Sequence, residues 1–174
     1  MDIVQKALEF ATKAHEGQVR KYTYEPYINH PVEVMKIVQS VVPEYIAMHC
    51  AALLHDVQED CGVTNDEITN KFGNWIAALV DDLSDVSKPE DGNRSVRKEI
   101  DRKHTAQAYS EAKTIKLADL ISNTKSIVEH DKEFAKVYIK EKELLLEVLT
   151  EGDPTLYAQA KALVEKAKEE LGID

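Results

Sequence analysis

The chain has 174 residues and a formal net charge of −10, from 22 basic and 32 acidic side chains. This length corresponds to about one domain, and a hydrophobic content of 43% is sufficient for a buried core. The negative charge argues against a partner held mainly by phosphate-backbone contacts, such as duplex DNA. We therefore expect one folded domain over residues 1–174 and no nucleic-acid partner.

The cysteine content and the first residues indicate the compartment. Two cysteines, Cys50 and Cys61, are too few for a disulfide scaffold. The N-terminal residues lack the basic start and apolar core of a signal peptide, and no stretch approaches the roughly 18 apolar residues of a membrane span. We expect a cytoplasmic protein with no membrane partner.

Apolar residues recur at helical spacing along most of the chain, and no alternating run requires a strand. Pro31 suits the first turn of the second helix, and Thr64 with Glu67 has the form of a capping box that opens the fourth. Residues 84–93 lack apolar periodicity and are expected to form the one long loop. Helices are predicted over residues 4–11, 31–42, 44–57, 64–73, 75–83, 94–108, 111–128, 133–149 and 158–171. The fold class is therefore all-α, a bundle of about eight or nine helices.

The densest group of chemically useful side chains occupies residues 55–60, at the end of an apolar run. If helical geometry persists there, His55 and Glu59 share one face, and Asp56 and Asp60 share an adjacent face. Imidazole and carboxylate together suit Mn, Fe, Zn or Co better than an all-oxygen Mg or Ca cage. A solvated helix terminus rich in acidic residues is the alternative interpretation.

Two further residues offer ligand groups outside this segment. His30 directly precedes a proline, which predicts an extended backbone at the start of a helix; a capping or packing role is the alternative. Asp119 lies in an apolar stretch, so its partly buried carboxylate needs a metal, hydrogen bonds or a cation. Lys116, three residues away, is the simplest partner, and Asn123 presents an amide on the same face.

These residues, in this order and on separate helices, resemble the metal ligands of the HD-domain phosphohydrolase superfamily: His30, His55, Asp56 and Asp119. Within that superfamily, several motifs resemble the hydrolase domain of the RelA/SpoT alarmone enzymes. The matching motifs lie at residues 15–21, 26–31, 55–60, 72–73 and 116–119, with Asn123.

The resemblance implies a single HD-type domain that hydrolyses guanosine 3′,5′-bispyrophosphate (ppGpp), the alarmone of the stringent response, to GDP and pyrophosphate. Mn²⁺ is the usual cofactor, with another divalent transition metal as the alternative. A chain of 174 residues leaves no room for a synthetase or regulatory domain, so the nearest type is the stand-alone small alarmone hydrolase, a group that includes the metazoan SpoT homologue. A small-molecule nucleotide is the expected partner, and an oligomer is left open.

The resemblance also implies a role for each matching residue. The implied metal ligands are His30, His55, Asp56 and Asp119. The residues implied to position or deprotonate the attacking water are Glu59 and Asp60, which suits a carboxylate pair whose like charges raise one pKa. The implied substrate-binding residues are Arg20, Lys21, Tyr27 and Asn123. An exposed basic pair explains Arg20 and Lys21 outside this context, and Tyr27 fits a packing role equally well.

Some departures from the family pattern concern the substrate. Tyr22 to Glu25 replace a turn in which the family usually has a glycine, and Cys61 stands where a threonine is usual. None of them affects the implied ligands. The alternatives are an HD-type phosphatase acting on a 5′-nucleotide, a dNTP or NADPH, a catalytically silent nucleotide-binding regulator, and a helical interaction module.

Overall fold

The computed structural model describes residues 1–174 and contains helices but no strand; one isolated β-bridge joins Val19 and Pro26. Nine helices have at least eight residues, and a tenth has four. The predicted all-α class with eight or nine helices is therefore confirmed. The chain divides into two compact units, Met1–Ser84 and Asp85–Asp174. A single domain over residues 1–174 stays a prediction.

The first unit contains six helices, and one of them is apolar on nearly every face. They are α1 (Ile3–Ala14), α2 (Asn29–Val41), α3 (Ile46–Leu54), α4 (Val57–Asp60), α5 (Asn65–Phe72) and α6 (Asn74–Leu83). Helix α3 packs against α1, α2 and α6. Seven of its nine residues are buried, as expected for a helix that is apolar on nearly every face. Helix α3 therefore lies among three other helices of this unit.

Local signals set the start and end of α5 as the sequence predicts. The Thr64 side chain accepts a hydrogen bond from the Glu67 backbone, and the Glu67 side chain accepts one from the Thr64 backbone. Gly73 separates α5 from α6 with a φ of +91°, a left-handed value that glycine adopts without steric cost. The predicted capping box and the predicted stop at Gly73 are both confirmed.

The second unit contains four helices: α7 (Arg94–Ala106), α8 (Ser110–His130), α9 (Lys132–Leu146) and α10 (Pro154–Leu171). Helices α8, α9 and α10 pack against one another. The predicted loop over residues 84–93 contains one short 3₁₀ turn, Pro89–Asp91. None of the helices in either unit combines the length and the apolar character needed to cross a lipid bilayer.

Candidate metal centre

The chain turns at His55 and Asp56 instead of continuing as one helix. Helix α3 ends at Leu54 and α4 begins at Val57, so the predicted helix over residues 44–57 ends three residues early. The His55 Nδ1 atom lies 2.7 Å from the Ala52 carbonyl oxygen. A side chain thus satisfies a carbonyl at the helix end, where the regular backbone ladder stops.

This turn brings His55 and Asp56 against each other. The Nε2 atom of His55 lies 3.0 Å from Oδ2 of Asp56. A carbonyl oxygen only accepts hydrogen bonds, so Nδ1 carries a proton where it meets the Ala52 carbonyl, and a neutral ring then holds its lone pair on Nε2. This tautomer directs a metal-ligating nitrogen toward the carboxylate.

His30 joins the same cluster from α2. It is the second residue of that helix, and its backbone N–H donates to the Tyr27 carbonyl at 3.0 Å. The predicted extended backbone is therefore wrong, because this hydrogen bond holds His30 in the first turn of α2 against the steric preference that Pro31 imposes. The His30 Nε2 atom lies 3.8 Å from Oδ2 of Asp56, and the rings of His30 and His55 are 5.3 Å apart.

His30, His55 and Asp56 form a group of potential metal ligands. One ligand atom from each of the three lies within 4.8 Å of the others, and the two histidines are only 2% and 3% exposed. Two buried imidazoles and one carboxylate are a donor set suited to a divalent transition metal. The residues present therefore fit the implied ion, whose identity stays a prediction.

Tyr27 supports the cluster from the segment before α2. Its hydroxyl donates to Oδ2 of Asp56 at 2.6 Å, and its ring centroid lies 5.8 Å from that of His30. The Arg20 guanidinium lies 5.8 Å from the centre of the Tyr27 ring, whereas the Lys21 ammonium lies 5.4 Å from the Tyr22 ring. The substrate contacts predicted for Arg20, Lys21 and Tyr27 stay predictions.

Glu59 and Asp60 lie in the single turn of α4, and both are exposed. Desolvation of part of its carboxyl raises the pKa of Asp60, and the nearby Asp56 carboxylate raises it further. A hydrogen bond from the Gln18 amide, at 3.3 Å, opposes that shift. A raised carboxyl pKa suits a proton acceptor, although the roles of Glu59 and Asp60 stay predictions.

Three residues that the structure places beside the cluster received no role from the sequence, namely His15, Gln18 and Cys61. Gln18 contacts Asp60, its carbonyl oxygen lies 2.8 Å from His15 Nδ1, and the Cys61 sulfur lies 3.3 Å from the same nitrogen. His15 and Gln18 belong to the motif at residues 15–21, in which only the basic pair received a role. Their spacing across the end of α1 was the available signal.

Asp119 and Asn123 lie on α8 in the second unit. The Asp119 carboxylate is partly buried, accepts a hydrogen bond from the Asn123 amide at 3.0 Å, and lies 4.0 Å from the Lys116 ammonium. The partial burial and both partners predicted from the sequence are confirmed. Metal binding by Asp119 and substrate binding by Asn123 stay predictions.

A small cavity of about 50 Å³ in the second unit is lined by charged side chains of both signs. Its basic residues are Lys98, Arg102, Lys116 and Lys142. Burial lowers the pKa of Lys142 to about 8, with further contributions from Lys116 and Lys98. Cationic side chains thus gather in this cavity.

The family model and the relatives that match this chain are consistent with one another. The HD domain family model matches residues 7–145. A guanosine-3′,5′-bis(diphosphate) 3′-pyrophosphohydrolase of Vibrio cholerae is 35% identical over 130 residues, which cover 73% of this chain and 18% of that protein. The protein of the same name from Xenopus tropicalis, MESH1, is 32% identical over 131 residues, which cover 72% of this chain and 69% of that protein.

Several relatives are much longer than this chain. A GTP pyrophosphokinase of Myxococcus xanthus is 40% identical over 88 residues, which are 51% of this chain but 11% of that protein. The chain thus spans about a tenth to a fifth of the Myxococcus and Vibrio relatives. The solved structure of a metazoan SpoT ortholog, described as hydrolysing ppGpp, has a TM-score of 0.84 and 24% identity, covering 98% of this chain and 96% of its own. This likeness supports the fold.

Proposed function

This chain belongs to the HD-domain family, and we propose that it is a metal-dependent pyrophosphohydrolase that converts ppGpp to GDP and pyrophosphate. The observation that carries the proposal is the close grouping of His30, His55 and Asp56. The relatives named for ppGpp hydrolysis supply the substrate. A cytoplasmic location and a single domain over residues 1–174 belong to the same proposal.

The proposed metal ligands are two imidazoles and two carboxylates. His30, His55 and Asp56 supply three of them, and Asp119 is the proposed fourth. Mn²⁺ is the proposed ion, and the mixed nitrogen and oxygen donors support this choice or another divalent transition metal. When bound, such an ion supplies Lewis-acid chemistry, which lowers the pKa of water and offsets phosphate charge.

Asp60 is the proposed proton acceptor for the attacking water. The Gln18 amide engages Oδ2, so Oδ1 is the oxygen proposed to accept the proton. The direction of the Asp60 pKa shift supports this assignment, because a base with a raised pKa accepts a proton more readily. Glu59, in the same helical turn, is proposed to orient the water.

The proposed nucleotide-binding residues are Arg20, Lys21, Tyr27 and Asn123. Arg20 has a planar guanidinium, which can stack on a base, and Lys21 offers a point charge for phosphate. Tyr27 lies beside Arg20 and is proposed to line the nucleoside end of the site. Asn123, which donates to Asp119, is proposed to contact the nucleotide through its amide.

Product analysis tests the proposal. Chelator-stripped protein is incubated with ppGpp, with and without Mn²⁺, and the nucleotides are separated by anion-exchange chromatography. The expected result is Mn²⁺-dependent formation of GDP and pyrophosphate that Asp119→Ala abolishes. Intact ppGpp with dephosphorylation of NADPH or a dNTP overturns the substrate. Nucleotide binding without turnover of any of them favours the silent regulator.

A further inference from the structure

A chain of side-chain contacts runs from the end of α1 to the turn of α4. We propose that Gln18 is a positioning residue that holds the Asp60 carboxylate in place, and that His15 fixes the orientation of the Gln18 amide. The inference rests on the proposed function only for the role given to Asp60. The contacts that carry it lie within the first unit.

The two ends of the Gln18 amide have different partners. Its nitrogen lies 3.3 Å from Oδ2 of Asp60, and its oxygen lies 2.8 Å from Nδ1 of His15. An ionised carboxylate only accepts hydrogen bonds, so the donating NH₂ group must face Asp60. The amide oxygen must then accept a proton from the imidazole. Reversing the amide would place two acceptors against each other at Asp60.

The contacts of His15 fix its ring in a position from which it determines the orientation of the Gln18 amide. It is 3% exposed, its backbone N–H donates to the Ala11 carbonyl at 3.0 Å, and its ring centroid lies 4.7 Å from that of Tyr27. Its Nε2 atom is buried with no hydrogen-bond partner. An unprotonated Nε2 leaves no buried N–H unsatisfied, so the proton belongs on Nδ1, where Gln18 accepts it.

Cys61 does not replace Gln18 as the partner of His15. Burial raises the pKa of the Cys61 thiol, and the carboxylates of Asp60 and Asp56 raise it further. The sulfur, 3.3 Å from Nδ1 of His15, is therefore a thiol, which is a weak acceptor compared with an amide oxygen. The main acceptor of the imidazole proton is Gln18.

The backbone around Gln18 is also held in place. Gly17 has a φ of +84°, and this turn lets the Gln18 N–H donate to the His15 carbonyl at 2.9 Å. The Gln18 carbonyl accepts from the Tyr27 N–H at 2.9 Å, next to the bridge between Val19 and Pro26. The backbone of Gln18 is therefore fixed where its side chain reaches the exposed Asp60, as a positioning residue requires.

Gln18→Met tests the inference, because methionine keeps the length of the side chain and removes both hydrogen bonds. Gln58→Met is the matched control. The Gln58 amide donates to Asp81 Oδ1 at 3.0 Å, so this variant also loses an amide-to-carboxylate hydrogen bond, but one that does not involve Asp60. With ppGpp and Mn²⁺ we expect kcat to fall roughly 10- to 100-fold in Gln18→Met, with KM within about twofold. Gln58→Met should retain the wild-type kcat.

A double variant shows whether Gln18 acts through Asp60. Adding Gln18→Met to Asp60→Asn should cause no further loss of kcat, since the carboxylate to be positioned is already absent. An equal loss in Gln58→Met, or a full additional loss in the double variant, overturns the inference.

A structural readout decides the inference independently of turnover. Crystal structures of the wild type and Gln18→Met are compared at the Asp60 side chain. We expect one Asp60 conformer against Gln18 in the wild type and a displaced or multiple conformer in the variant. An unchanged Asp60 overturns the inference. If the wild type leaves ppGpp intact, the proposed function fails, but this comparison still shows whether Gln18 positions Asp60.

Discussion

The Tyr27 hydroxyl donates to Oδ2 of Asp56 at 2.6 Å, across 29 positions of the chain. Asp56 belongs to the group of three potential metal ligands. A hydrogen bond of this kind orients a ligand, and its loss typically weakens metal binding 10- to 100-fold, roughly. We therefore expect Tyr27→Phe to bind Mn²⁺ about 10- to 100-fold more weakly than the wild type, measured by titration monitored by electron paramagnetic resonance.

The control for Tyr27→Phe is Tyr24→Phe in the same connecting segment. Tyr24 is 78% exposed, so loss of its hydroxyl should leave Mn²⁺ affinity unchanged. Equal affinity in Tyr27→Phe and the wild type would show that the hydroxyl does not support the ligand.

Asp119 is expected to be the fourth ligand, and its substitution should empty the site. Asp119→Asn keeps the size of the side chain and removes its charge. Both proteins are dialysed against a buffer without free metal, and their metal content is measured by inductively coupled plasma mass spectrometry. We expect about one equivalent of metal in the wild type and less than about a tenth of that in the variant. Asp66→Asn, at an exposed position of α5, should retain the metal. Full retention in Asp119→Asn would exclude Asp119 as a ligand.

Arg20 is expected to recognise the base through its planar group. Arg20→Lys keeps the positive charge but removes the planar fork, so KM for ppGpp should rise about tenfold while kcat changes little. Steady-state kinetics measure both constants. Lys13→Ala removes a cation from the last turn of α1 and serves as the control. An unchanged KM in Arg20→Lys would show that Arg20 contributes to ppGpp binding only through its charge, and would contradict recognition of the base by its planar group.

Lys142 makes the stability of the protein depend on pH in the alkaline range. Burial, Lys116 and Lys98 lower its pKa from 10.5 to about 8, so the cost of folding around the charged ammonium is complete below about pH 8. Between about pH 8 and pH 10.5, folding requires Lys142 to release a proton. The free-energy cost of this release falls to zero as the pH approaches 10.5, where the unfolded chain loses the proton as well. The free energy of unfolding of the wild type should therefore rise relative to that of Lys142→Met over this range.

Urea unfolding at pH 7 and pH 10 measures this difference. At pH 7 we expect Lys142→Met to be more stable than the wild type by about 1 to 3 kcal/mol, and at pH 10 by clearly less. Lys140→Met, at an exposed position of α9, should show no such dependence. A difference that stays constant between the two pH values would contradict the lowered pKa of Lys142.

Most helices follow from local signals in the sequence. Helix α5 begins at the Thr64 capping box and ends at Gly73, both of which act over a few residues. The turn at His55 was not predictable in the same way. The sequence predicts a helix that continues to Val57, whereas α3 ends at Leu54. The His55 ring bonds to the Ala52 carbonyl at this end, and periodicity does not encode such a side-chain contact.

The candidate ligands were recognisable from motif order, but their supporting contacts were not. Gln18 and Asp60 are 42 positions apart, and Tyr27 and Asp56 are 29 apart. No local pattern pairs residues over such separations, because the packing of the helices in the first unit brings them together. The motif at residues 15–21 marked the segment without indicating which carboxylate its glutamine contacts.

The central claim is that the group formed by His30, His55 and Asp56 holds a metal needed for ppGpp hydrolysis. Its most direct test titrates Mn²⁺ into one chelator-stripped sample while bound metal and the initial rate of GDP formation are both recorded. We predict that the rate rises in proportion to bound Mn²⁺ and reaches its maximum at about one equivalent. Binding of one equivalent without hydrolysis, or a rate independent of bound metal, would contradict the claim.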